Sequence, residues 1–583
     1  MKKTLFLNGK WLLTHPVVAA VNVIMGVVLI VIGTNIFAYN KTMQMISQLQ
    51  AGQLQEAVRS AQVALPIVRF FNFITAYRVP DLKVWQSALR LPATAQDLVV
   101  TTESLTINYS NERKADLTIF TPILETISKE LTVIDTQLDD TYFIQDELSQ
   151  DTVKIIHQLP IYIQNTTTVL EEVSNGDQIW IAILQNSDEA RATGGFPGSY
   201  ALIHLKNGVI TDVIIEDIYD ADGQFNGYIN APAGIKEYTS GNKGLRLPDA
   251  NWWPDFPISA KTMLQFFALG DKQKVTGLLA INSRFIQSLL TITGPVNLPD
   301  YDISLSANNM NQVLRTERGS FFPGSNQKKN VLNQAMQQFQ RQLSTLSMAQ
   351  KIEAIKQTKT SIDQKDIQFF SPQPNLQEIF SQYRLSGSIG ADYFEQDPVI
   401  SSCSCEPVSL FLVESNVGIN KVNAFISRKV SIEFNNADLL VTTQFSNAAS
   451  PMTQTELSGL VASDSAMPAP RNGNGYLNYY RLLISKEYTP TAISVLDNKI
   501  ETWDDEVITT FNGEEIRQIG FLMAVPEKQS ITTKMELTSK RSQPPESLIL
   551  YKQSGLPDTT YIVRANNFAD EFSLTADRVV SLR

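Results

Sequence analysis

The stretch that most restricts this chain is Val17–Tyr39, VVAAVNVIMGVVLIVIGTNIFAY, which is apolar nearly throughout and carries no charge. As a helix of roughly 23 residues it is long enough to cross a hydrocarbon core of about 30 Å. Asn22, Thr34 and Asn35 are its only clearly polar members. A cleaved signal peptide would have a shorter apolar core and a small-residue exit site, so the segment reads as an uncleaved anchor. Lys2, Lys3 and Lys10 precede it, and the positive-inside rule then leaves residues 1–16 in the cytoplasm. No later stretch is long and apolar enough to bring the chain back. The expectation is a single-pass cell-membrane protein that meets the lipid bilayer through Val17–Tyr39, with its bulk extracytoplasmic.

The chain of 583 residues is too long for one core and has room for roughly three or four folding units. Its 43% hydrophobic and 18% charged residues describe an ordinary globular polypeptide. A net charge of -11 excludes a general nucleic-acid binder, which needs a basic face. The three histidines, His15, His157 and His204, are too scattered for a histidine triad or a multi-histidine metal site. Cys403 and Cys405, in SSCSCEP, are too close for an ordinary disulfide loop and supply two of the four ligands of a structural zinc. They read as small loop residues, with a reactive or bridged pair left open.

From residue 40 to 176 the pattern is helical, a stalk or bundle. Phe120, Leu124, Ile127, Leu131, Ile134 and Leu138 alternate at spacings of four and three, a heptad seam suited to a helical hairpin or a coiled coil, with self-association as one use. Pro66, Pro80, Pro92 and Pro160 are expected to divide the region into several helices. At Gly176 the period changes. IWIAIL reads as a buried strand, and ALIHL and VITDVII flank Asn207-Gly208, a strong hairpin signal. GLLAI, an amphipathic RFIQSLLTI and a long polar helix follow, so residues 177–350 read as an α/β domain. A Gln-, Ser- and Pro-rich stretch, 351–409, reads as a linker region. Short alternating runs over 410–583, separated by turn clusters, read as an antiparallel β-sandwich-like domain.

Several stretches carry a family likeness: ILQNSDEARATGGFPGSYALIHLKNGVI, PDANWWPDFPISA, VTGLLAINSRFIQSLLTITGPV, VESNVGINKVNAFI and YYRLLISKEYTP. Together they resemble the bacterial domain-of-unknown-function 4012 family. That resemblance implies a membrane-anchored, outward-facing protein and supplies no reaction.

A fainter resemblance is to the LytR–CpsA–Psr phosphotransferases of bacterial envelopes, which move glycopolymers from polyprenyl pyrophosphate lipids onto the cell wall. It rests on TGLLAINSRFIQSLLTITGPV and on LSANNMNQVLRTERGSFFPGSNQKKNVLNQAM. By that likeness Asp188, Arg191, Arg315, Arg318, Lys328 and Lys329 would converge on a lipid pyrophosphate. Gly194 and Gly195 would expose backbone N–H groups to the same oxygens, and Mg²⁺ would serve if the protein is a phosphotransferase. The chain departs from the pattern where those enzymes carry Arg-Ser-Asp, because glycines, Pro197 and GSY stand there and the metal-holding acid is missing. Lysines at 328 and 329 also replace forked guanidinium groups with point charges.

Each feature also has a plainer reading. Gly194, Gly195 and Gly198 lack the spacing of a nucleotide loop and suit a strand-to-strand turn. Arg191 beside Asp188 and Glu189 suits an ion pair, and Trp252 and Trp253 suit a wedge into the core as well as a sugar platform. Asp217, Asp220 and Asp222 resemble a calcium loop without its closing Glu. The functional expectation is an envelope protein that binds a glycan or a lipid-linked pyrophosphate precursor, the alternatives being a glycopolymer phosphotransferase and a purely structural or adhesive surface protein.

Overall fold

A computed structural model describes residues 16–583 except 52, 113, 142–143, 145–148, 241–242, 270–274, 311–325, 395–396, 402–405, 451–474, 542 and 566–567; for 16–30, 50, 106–107, 109–112, 151–152 and 326–329 it describes the helical backbone only. Cys403 and Cys405 therefore lie outside the described residues. The chain divides into two compact units, one reaching to Asn175 and including Leu346–Ile352, the other comprising Gly176–Thr345 and Glu353–Arg583.

The first unit is helical: α1 (Pro16–Gln50), α2 (Leu54–Ile74), α3 (Pro80–Ala88), α4 (Leu91–Glu112), α5 (Thr121–Leu138) and α6 (Gln150–Val173). Pro80 and Pro92 stand in the first turns of α3 and α4, where no intrahelical N–H is lost. Pro66 and Pro160, expected as breaks, lie inside α2 and α6. Both helices continue past them because tertiary packing outweighs the one lost hydrogen bond. Ala57, Ala61, Ala64 and Val68 of α2 share a core with Ala38, Leu82 and Trp85. Leu131, Ile134 and Leu138 of the heptad seam are buried in that same core. These seam residues pack within the chain, in a helical bundle.

The predicted membrane span meets this unit at its end. Thr34, Asn35 and Ala38 are buried, the Trp85 indole N–H donates to the Asn35 side chain at 3.1 Å, and Tyr39 meets Trp85 edge-on. The last turn and a half of Val17–Tyr39 thus belongs to the bundle. Among the described residues no helix is long and apolar enough to cross a membrane. The side chains of residues 17–30, most of the expected span, lie outside that set.

The second unit opens with a mixed sheet. Its strands β1 (Asp177–Asn186), β2 (Phe196–Lys206), β3 (Val209–Asp217), β4 (Gly277–Asn282) and β5 (Ile367–Phe370) lie in the order β3-β2-β1-β4-β5. Asn207 and Gly208 both take positive φ between β2 and β3, the tight turn that Asn-Gly favours. Only β1–β4 is parallel. Ile179, Ile181 and Ile183 face α7 (Phe256–Leu269), with Phe256, Met263 and Phe267 in the shared core. Ala182, Ala201 and Ile215, on the opposite face, pack against Leu332 and Met336 of α8 (Asn326–Ser344).

The stretch 351–409, expected as a linker, is structured. It holds the body of α9 (Met348–Asp363), strand β5 and α10 (Pro374–Gln382). Strand β5 pairs antiparallel with β4 and extends the central sheet. Its short run IQFF, three apolar residues interrupted by Gln368, is flanked by polar helices, which is why composition alone disguises it.

Two further sheets follow, sharing one apolar core. The six-stranded one contains β6 (Val408–Asn416) and β7 (Tyr476–Ser485), and the seven-stranded one has Ile426–Asn435 near its centre. Every residue of β6 is buried. Its Leu410 and Leu412 point into the sandwich core, whereas Phe411 and Val413 join a second cluster with Ala192. The uninterrupted apolar run SLFLV is what a strand covered on both faces requires. The α/β layer and the sandwich are thereby one packed body, not two modules on a tether.

Candidate functional site

Strand β1 is bounded at its end by Gln185 and Asn186, and the chain must reverse into β2 within nine residues. The Glu189 N–H donates to the Asn186 carbonyl at 3.2 Å, and the Phe196 N–H to the Glu189 carbonyl at 2.9 Å, which folds 187–195 back on itself. Gly194 and Gly195 close the turn at φ +133° and +137°, a region L side chains rarely adopt. A Cβ on Gly195 would lie 2.2 Å from the Asn186 carbonyl oxygen. One on Gly194 would lie 2.4 Å from Gln185 Oε1 and 2.7 Å from Ser554 Oγ. Ser554 belongs to a loop that leaves the sandwich, and a Cβ on its neighbour Gly555 would meet the Gly194 carbonyl at 2.1 Å. The glycines permit backbone-to-backbone contact between the two layers. That is the structural-turn reading.

Arg191 sits at the centre of this joint with 1% of its surface exposed. Nη1 donates to the carbonyl of Asn416, at the end of β6, and at 3.3 Å to that of Ala190. Nη2 reaches Glu189 at 3.2 Å and Asp249 at 3.4 Å. The guanidinium also lies over the Phe196 ring, 5.6 Å from its centroid. Its own carbonyl accepts from Gln553 Nε2 at 3.1 Å. Arg191 therefore faces carboxylates and carbonyls of its own chain. Asp188 is brought alongside: its carbonyl accepts from the Asn423 N–H at 3.1 Å, and the Asn423 side chain accepts from the Ala190 N–H at 3.0 Å.

Of the residues expected to converge on a pyrophosphate, the fold gathers Asp188, Arg191, Gly194 and Gly195. Arg315 and Arg318 lie outside the described residues, and Lys328 and Lys329 are described only as backbone of α8. Glu189 and Asp249 are turned to Arg191, and among the described residues no group of three or more His, Cys, Asp or Glu could hold a metal ion. The described residues do not fit Mg²⁺. Nor do the acids of the calcium-like loop, because Asp217 caps Tyr219 N–H and Asp222 is taken by Arg246 and the Leu247 N–H.

Trp252 wedges into the core, the plainer of its two readings. It stacks on Tyr479 with ring centroids 5.3 Å apart, and the Arg481 guanidinium lies 4.4 Å from its ring. Arg481, fully buried, donates to the Trp252 carbonyl and to Ser415 Oγ, both at 2.9 Å. Burial lowers its pKa to about 10. Beside Trp252, the Asn251 amide donates to the Gly195 carbonyl at 2.8 Å. Asn251, Asn416 and Gln553 as partners of the glycine turn, and Arg481 as partner of Trp252, could not be read from the sequence, yet all but Gln553 fall in the stretches that carried the family likeness.

Asp255, in the same PDFP segment, accepts from the Phe511 N–H at 2.6 Å. Burial pushes its pKa up to about 7 against the opposing pull of that hydrogen bond, a second from Ile389 and the charge of Lys365. Its folded pKa exceeds its unfolded one, so its contribution is fully present below about pH 4 and is lost as pH rises through about 7. Asp255→Asn is expected to raise the denaturation midpoint at about pH 8 by the equivalent of about 1–3 kcal/mol and to lose that advantage at about pH 4. Chemical denaturation across that range reads the difference.

No curated protein and no solved structure matches the chain. Residues 175–318, which hold the glycine turn, Arg191 and the Trp252 wedge, match the model of the family described as "Protein of unknown function (DUF4012)".

Proposed function

We propose that this protein is a membrane-anchored structural module of the cell envelope, whose family segment and sandwich form one outward-facing scaffold. The observation that carries this reading is the enclosure of Arg191, whose Nη1 and Nη2 are both hydrogen-bonded within its own chain. A pyrophosphate ligand needs a guanidinium fork open to solvent, and this one is spent holding the α/β layer to the sandwich. The glycines likewise serve close packing, with Gly194 under the Ser554–Gly555 loop. A glycan or polyprenyl-pyrophosphate site would have to rest on Arg315, Arg318, Lys328 and Lys329 without Arg191, and phosphotransfer would in addition lack its metal-holding acid. In this reading Val17–Tyr39 supplies the anchor, its final residues merging into the helical unit.

The test is titration of the full-length protein in lipid nanodiscs with a polyprenyl pyrophosphate. The expected result is no saturable binding, with Arg191→Gln changing stability alone. Saturable binding that disappears in Arg315→Ala or Arg318→Ala, with unfolding unchanged, would replace the scaffold with a binding protein.

A further inference from the structure

Helix α2 carries a surface that the helical unit leaves uncovered. Val63, Ile67, Phe70 and Ile74 recur at spacings of four, three and four along one face, Phe73 widens it, and Tyr77 is exposed in the turn that follows the helix. Phe73 is 70% exposed and Phe70 57%. From Ser60 to Arg78 the only charges are Arg69 and Arg78, both exposed. A contiguous aromatic patch of this kind on a soluble face marks an interaction surface.

Its position names the occupant. Helices α1 and α2 pack antiparallel: Ser60 Oγ donates to Gln48 Oε1 at 2.8 Å. At the other end Asn72 bonds Gln86 at 2.9 Å, and the adjacent Trp85 bonds Asn35 at 3.1 Å. Equal rise along both helices then sets Phe70–Ile74 level with about residues 34–38 of α1. That is where the charge-free segment ends, and Ile36 of α1 is itself exposed at the same level. The aromatic end of α2 therefore stands beside the emerging anchor, with two guanidinium groups at its margin. Aromatic side chains and arginines are the residues that settle at a bilayer's interface, rings among the acyl-chain ends and cations at the phosphates.

We propose that the C-terminal half of α2, with the turn after it, docks on the lipid bilayer surface, seating Phe70, Phe73, Ile74 and Tyr77 in the interface while Arg69 and Arg78 meet lipid phosphates. The helical hairpin then enters the membrane plane at two points, which fixes the tilt of the unit instead of leaving it on a single swivelling helix. The inference rests on the membrane-anchored reading above, and its test separates the two.

The full-length protein, with Cys403→Ser and Cys405→Ser, is reconstituted in phosphatidylglycerol–phosphatidylethanolamine vesicles. A nitroxide is placed singly at Phe73→Cys, at Ile67→Cys, at Gly26→Cys within the anchor, and at exposed Thr132→Cys on α5. Paramagnetic relaxation by oxygen, which concentrates in lipid, is compared with relaxation by a water-soluble nickel chelate. The expected oxygen-to-nickel ratio at 73 is several-fold above that at 132 and below that at 26, with 67 intermediate. A water-like ratio at 73 with a lipid-like ratio at 26 overturns the docking and leaves the anchor intact. Water-like ratios at both positions remove the anchor and the docking with it. Protection of position 73 from both reagents shows a protein cover, such as a second copy of the chain, and also overturns the proposal.

Discussion

Gly195→Ala destabilises the second unit by about 3–5 kcal/mol, read as a fall in its chemical-denaturation midpoint. Two costs add. At φ +137° an L side chain is strained whatever the space around it. In addition the new methyl would stand 2.2 Å from the Asn186 carbonyl oxygen and 2.7 Å from the Ser187 nitrogen, both backbone atoms of the strand end that the turn closes. No rotamer relieves that contact, so strand β1 and the turn must separate. Gly198→Ala is the internal control. It lies two residues into β2 without positive φ, and its Cβ would meet only the Phe196 ring at 3.8 Å, an ordinary contact. Its expected effect is within about 1 kcal/mol. If the glycines instead served to expose N–H groups to a ligand, Gly195→Ala would fold normally and lose binding. A denaturation midpoint unchanged from wild type at Gly195→Ala would therefore revive the cradle.

How much of this was legible in the sequence follows from the range of the interactions. The Asn207-Gly208 hairpin, the buried IWIAIL strand and the heptad residues Leu131, Ile134 and Leu138 announce themselves because each depends on neighbours within a turn or a strand. The heptad could not say whether its partner helix was in the same chain. That was decided by Trp85, Leu82 and the alanines of α2, which complete the core around it. The joint was less legible still. Arg191 finds Asn416 225 residues away, and Trp252 finds Arg481 229 residues away. No periodicity encodes such pairs. What the sequence did offer was four separate stretches, around Gly194, Trp252, Asn416 and Arg481, that shared the family likeness without showing that they touch. The fold shows that they are one site, with glycines, asparagines and arginines meeting where the end of a central strand and a sandwich must share polar backbone ends. The strand Ile367–Phe370 was missed because three apolar residues and a glutamine between polar helices give too short a period to read.

Arg191→Ala is expected to cost the second unit about 3–5 kcal/mol, because removal of one partner from a buried ion pair strands the others. Glu189 is 2% exposed and would lose the guanidinium beside it, and the Asn416 carbonyl would lose its donor. Arg191→Lys restores charge without the fork. One ammonium cannot serve Glu189, Asp249 and the carbonyls of Ala190 and Asn416 together, so about half the loss should remain. The double variant Arg191→Ala/Glu189→Ala should lose less than the sum of the single ones, by about 1–3 kcal/mol, since the stranded carboxylate is gone. That coupling separates a structural arginine from a ligand-binding one. An arginine held for an absent anion is repelled by its like-charged neighbours and strained in the unliganded protein, so its removal would be neutral or stabilising, and the coupling to Glu189 would vanish. Arg191→Ala with an unaltered midpoint and no coupling would mean that the enclosure of this side chain contributes nothing to the joint, and the scaffold reading would lose its principal support.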